Sequence, residues 1–242
     1  MGRPTPDPIS ATSAASPEPG APPRTSPARL AGLGAAAGIL GPLLLVLYFT
    51  TPAFTAWPSA GESPDQLLGY ALGHETLFYA GGWLQVTGAL LSIVFFLVLL
   101  QLSGARHRLA GAAALVGCAL LLAVVTIEAA LLEAVPMAAH TGDRATVATA
   151  FALSNGVFAR IFPLAPAPLL FAAIGLALSG SPLLRPVFGR AALVIAALFA
   201  VAGIAAVFGT AGLVFAIVMS VAQALWIATT AVALAFARRR MS

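Results

Sequence analysis

The chain has 242 residues, 60% hydrophobic and only 8% charged, with a mean hydropathy of +0.98. Soluble domains carry about 25% charged residues, so 12 basic and 8 acidic side chains exclude a soluble globule of this size. The net charge is +4 and every basic residue is Arg; their positions, given below, assign them to membrane topology and not to nucleic acid. The single Cys118 excludes an internal disulfide and a Cys-rich metal site.

Residues 1–28 carry eight prolines among Ser, Ala and Thr. Such a segment buries too little apolar area to offset the entropy of ordering, and it reads as a disordered cytoplasmic tail. No apolar core precedes residue 30, so it is not expected to act as a cleavable signal peptide. Residues 29–240 then read as an all-α, polytopic transmembrane domain of six helices. Each apolar stretch is long enough to cross hydrocarbon, which takes about 20 residues.

Span 1 covers residues 30–49. Gly34 and Gly38 form a GxxxG pair that favours close helix packing, and Pro42 is expected to kink the helix. In the first outer loop, 50–76, Ser63-Pro64-Asp65-Gln66 is a capped helix start. It predicts a short helix through Leu67, Leu68, Ala71 and Leu72. Trp57, Tyr70, Tyr79 and Trp83 suit an aromatic belt at headgroup level. Span 2, 77–102, holds Gln85, and span 3, 109–135, holds Glu128 and Glu133. The second outer loop is expected to begin at Pro136, with Thr141 or Asp143 capping a helix through 145–154. Asn155-Gly156 marks a break before span 4, 157–178. Spans 5 and 6, 191–208 and 213–237, are joined by a tight outer turn at Gly209–Gly212. Gln85 and Gln223 read as inter-helix hydrogen-bonding groups.

Arginine placement orients the chain. With the N-terminus inside, Arg3, Arg24, Arg29, Arg106, Arg108, Arg185, Arg190 and Arg238–Arg240 are all cytoplasmic, and Arg144 alone sits in an outer loop. The positive-inside rule therefore predicts that both termini are cytoplasmic, in the plasma membrane (bacterial cytoplasmic membrane).

Span 4 contains an anomaly. Arg160 lies inside it, followed by Pro163, Pro166 and Pro168. Proline removes helix hydrogen bonds, and in hydrocarbon the freed carbonyls must find partners. A charge at membrane depth also needs shelter. Glu128 falls at a comparable depth on the preceding span, so an ion pair of Glu128 with Arg160 is expected. Glu133, five residues on, projects from another face, and Asn155 joins the polar outer side. His74, Glu75 and His140 are residue types that bind metal, but their spacing matches no metal motif. No GxSxG, P-loop or CxxCH occurs, and no cofactor is implied.

Three functions follow. The leading one is a non-enzymatic membrane protein that packs with a membrane-protein partner or a second copy, or binds a small or lipidic ligand at an outward-facing polar site. The alternatives are a small transporter or channel using Arg160, Glu128 and the broken fourth span, and a membrane-embedded metal-dependent hydrolase. The stretch PARLAGLGAAAGILGPLLL after a Pro-rich tail, the Arg-only inner loops and the Ala/Leu/Val/Gly-rich spans resemble uncharacterised actinobacterial six-span membrane proteins. That resemblance implies a plasma-membrane location and no particular activity.

Overall fold

The computed structural model describes residues 26–58, 62–205 and 210–239. The expected disordered tail lies outside these residues up to position 25. Among the described residues, six helical stretches are long and apolar enough to cross a membrane. The protein is an all-α, multi-span integral membrane protein.

The helices are α1 (Pro27–Phe54), α2 (Pro64–Gly73), α3 (Glu75–Leu102), α4 (Leu109–His140), α5 (Arg144–Gly156), α6 (Phe162–Leu164), α7 (Pro166–Ser179), α8 (Pro186–Ala205) and α9 (Thr210–Arg238). A π-helical segment, Val157–Ile161, links α5 to α6. Packing follows chain order around a closed ring: α1 against α3, α3 against α4, α4 against α7, α7 against α8, α8 against α9, and α9 back against α1. Short turns make sequential neighbours antiparallel, so residues enclosed by the ring come from five or six helices at once.

Glycines set how tightly the ring closes. A Cβ on Gly41 would lie 2.8 Å from the Gly88 carbonyl oxygen and 2.8 Å from Ser92 Oγ, so α1 and α3 touch almost backbone to backbone. The Gly34 and Gly38 positions do the same work: a Cβ there would meet Val98 Cγ1 at 2.6 Å and Ala231 Cβ at 2.7 Å, respectively. The expected GxxxG surface is therefore a contact with both α3 and α9.

The end opposite the α1 N-terminus is capped by α2 and α5. Ser63 accepts from the Gln66 N–H while the Gln66 side chain accepts from the Ser63 N–H, the expected capping box. Asp143 caps α5 by accepting from the Thr146 N–H at 3.0 Å. Two of the four belt aromatics turn inward here. Trp57 stacks on Phe151 at 5.3 Å, and the Tyr70 hydroxyl donates to the Thr55 carbonyl. Tyr79 and Trp83 stay exposed.

Three local expectations change. The second outer loop is only the turn between His140 and Arg144, because α4 runs through Pro136 to His140. Glu128 consequently lies about 18 Å from that end of α4, at 1.5 Å per residue, deeper than a helix ending at Val135 implies. Asn155 and Gly156 do not break the chain; Gly156 is helical, with φ −66° and ψ −42°. The interruption falls instead at Ala165, φ −129° and ψ −60°, between Pro163 and Pro166. Pro166 then opens α7 at a position where its missing N–H costs nothing. The turn expected at Gly209–Gly212 lies partly outside the described residues, and α9 is already helical from Thr210.

Candidate functional site

Glu128 sits at the centre of the ring and is 2% exposed. Its Oε1 accepts a hydrogen bond from the Tyr48 hydroxyl of α1 at 2.9 Å. Its Oε2 accepts a hydrogen bond from Gln85 Nε2 of α3. One carboxyl group thus ties α4 to α1 and α3. Gln85 is also 2% exposed, and its Oε1 meets no donor among the described residues.

Two small cavities meet at this group. The inner one, farther from the α2 and α5 cap, is about 30 Å³ and is lined by Gln85, Ser92, Phe96, Glu128, Phe158 and Gln223 among others. The outer one, about 80 Å³, is lined by Tyr48, Phe49, Trp57, Glu128, Asn155 and Phe158 among others. Glu128, Phe49 and Phe158 line both. A cavity needs roughly 10–15 Å³ to hold one water, so the inner space admits about two or three and the outer several.

The π segment explains which way span 4 faces. The Phe162 N–H donates to the Val157 carbonyl, a bond one residue longer than in an α-helix. Phe158 points into the cavities, while Arg160, two positions on, is on the opposite side and exposed. Arg160 therefore does not pair with Glu128, and among the described residues it has neither an ion-pair nor a hydrogen-bond partner. Rotation about the helix axis separates the expected pair: Arg160 is exposed, and Phe158 takes the cavity-facing position. Of the three prolines, Pro163 and Pro166 are buried and Pro168 is half-buried. They flank the break, beside which Phe162 and Ala167 line the inner cavity.

The remaining residues of interest lie elsewhere. Glu133 is half-buried against α3, close enough that a Cβ on Gly82 would sit 2.8 Å from its Oε1. His140 Nε2 and Glu75 Oε1 are 3.0 Å apart, joining α4 to α3 at the end capped by α2 and α5. Arg144 pairs with Asp65 at 2.8 Å, joining α5 to α2. His74 stacks on Tyr70 with its Nδ1 3.0 Å from the Tyr70 carbonyl. His74, Glu75 and His140 do not converge with a third donor, and among the described residues no group of three or more His, Cys, Asp or Glu could hold a metal. The metal-dependent hydrolase loses its ligand set on that ground.

Tyr48 is the site residue that sequence reasoning missed. It stands in the apolar run LLLVLYF. A tyrosine hydroxyl inside a span needs a hydrogen-bond partner, and that signal pointed to an interior acceptor. Phe158 carried no such signal, since one phenylalanine in an apolar span resembles any other. No protein-family model, curated protein or solved structure matches this chain.

Proposed function

We propose that this protein is a non-enzymatic six-span protein of the bacterial cytoplasmic membrane, with both termini cytoplasmic, that binds a small ligand in the outward-facing cavity at Glu128. The observation that carries the reading is a buried carboxyl, held by two donors, at the junction of two cavities. An ionisable group inside a membrane bundle is costly and marks a functional site by default. Two donors are enough to hold the carboxyl in place, and no charged partner for it lies within ion-pair distance among the described residues. The arginine bias supports the orientation: Arg29, Arg106, Arg108, Arg185, Arg190 and Arg238 stand at or near the end where α1 begins, whereas Arg144 stands at the other.

Cysteine accessibility tests this. Asn155 lines the outer cavity and is half-buried. Asn155→Cys, with Cys118→Ala, is expected to react with a membrane-impermeant maleimide in intact cells. Reaction only in inverted vesicles refutes the orientation, and no reaction on either side refutes the open outer cavity.

One observation favours transport as a second reading. The fourth span is broken at Ala165, beside the inner cavity, as in transporters whose sites use discontinuous helices. Transport requires that Ser92→Cys, on the inner cavity, also become reactive from the cytoplasmic side.

A further inference from the structure

The polar groups at the cavity junction are unequally matched. Glu128 is a buried carboxyl with no described cation within ion-pair distance. Beside it, Gln85 Oε1 is a second acceptor without a donor. A group that supplies both N–H donors and positive charge would satisfy the two together. Water supplies donors but no charge.

The walls narrow the class. Around the same carboxyl, the outer cavity brings the rings of Tyr48, Phe49, Trp57 and Phe158. Phe49 and Phe158 pack at 5.5 Å, and Tyr48 and Phe49 at 5.4 Å, so these rings form a continuous wall. Ring faces attract cations through their quadrupole, most strongly when water is excluded. A bare metal ion instead takes about six oxygen ligands, which a ring-walled lining does not offer. The inner space of about 30 Å³ suits a single ammonium head, and the outer space of about 80 Å³ suits a few carbon substituents.

We propose that the Glu128 cavity takes a small organic ammonium cation, with its N–H groups on Glu128 and Gln85 Oε1 and its carbon substituents among the rings of Phe49 and Phe158. This rests on the outward-facing ligand site proposed above and names its ligand class.

The test is calorimetric titration of the full chain in detergent micelles with ethylammonium chloride. Ethanol serves as the neutral match and sodium chloride as the inorganic cation. Wild type is expected to bind ethylammonium saturably and to bind neither control. Glu128→Gln, which keeps the volume and removes the charge, is expected to weaken binding about 10- to 100-fold, the range for a hydrogen bond to a charged group. Phe158→Leu is expected to weaken it roughly threefold, through loss of the ring face, and decides the matter if Glu128→Gln does not fold. Absence of saturable binding to folded wild type overturns the proposal. So does equal binding of ethanol, binding of sodium alone, or affinity unchanged in both variants. If Asn155→Cys is reactive from outside while ethylammonium fails, the ligand class is wrong and the outward-facing site stands. If Asn155→Cys is unreactive, the site itself is wrong.

Discussion

The partner of Glu128 decides between two pictures of this protein, and a pair of double-mutant cycles separates them. The first crosses Tyr48→Phe with Glu128→Leu; the second crosses Arg160→Ala with Glu128→Leu. Tyr48, itself half-buried, donates to the buried Glu128 carboxyl at 2.9 Å. A hydrogen bond to a charged group contributes about 1.5–3 kcal/mol, while interhelical hydrogen bonds in membranes average about 0.6 and reach about 1.7 kcal/mol. Glu128 itself is buried, which favours the upper part of the membrane range, so the Tyr48 coupling is expected at about 1–1.7 kcal/mol. Arg160 faces away from the cavities that Glu128 lines, and groups without shared partners add to within about 0.5 kcal/mol. Its coupling to Glu128 is expected to stay under that value. The assay is reversible unfolding in mixed micelles with rising fractions of denaturing detergent, followed by circular dichroism. A coupling above about 1 kcal/mol for Arg160 with Glu128, together with none for Tyr48, would refute the assigned geometry of span 4.

Two further outcomes follow from local structure. Gly41→Val forces side-chain carbon against the Gly88 backbone and Ser92, and overpacking of this kind costs roughly 1–3 kcal/mol; the same unfolding assay reads it, and an unchanged midpoint contradicts the close approach of α1 and α3. Asp143 has its carboxyl held below the ordinary range, first by the Thr146 hydroxyl and then by the Thr146 N–H. A lowered folded value means that the cap stabilises α5 fully above the unfolded value of about 3.9 and is lost as pH falls through the folded one. Amide protection in the first turn of α5, taken relative to the intrinsic exchange rate at each pH, is expected to fall only below the unfolded value, and Asp143→Ala is expected to remove this change in protection.

Much of this architecture was legible from residues 26 onward. Hydropathy runs, the Ser63–Gln66 capping box, the Asp143 cap and the prolines of span 4 are local signals, and each acts through backbone groups within a few positions. Local signals failed where two of them competed. Pro136 suggested a loop, yet α4 continues through it, because a membrane helix can lose one backbone bond when neighbours enclose it. Asn155-Gly156 suggested a break, yet in a span an unpaired backbone costs more than the weak helix preference of those residues.

The sequence by itself determined a six-span membrane bundle, a carboxyl at depth and a broken fourth span. Tertiary structure alone decided what the carboxyl meets. Tyr48 and Gln85 lie 80 and 43 residues from Glu128 and reach it only because the ring closes α1 and α3 against each other and α3 against α4. Arg160, 32 residues from Glu128, is nearer in sequence than either, yet it does not meet the carboxyl. Composition and periodicity do not specify the rotation of a helix that is apolar on most faces, and the π segment turned Phe158 inward and Arg160 out.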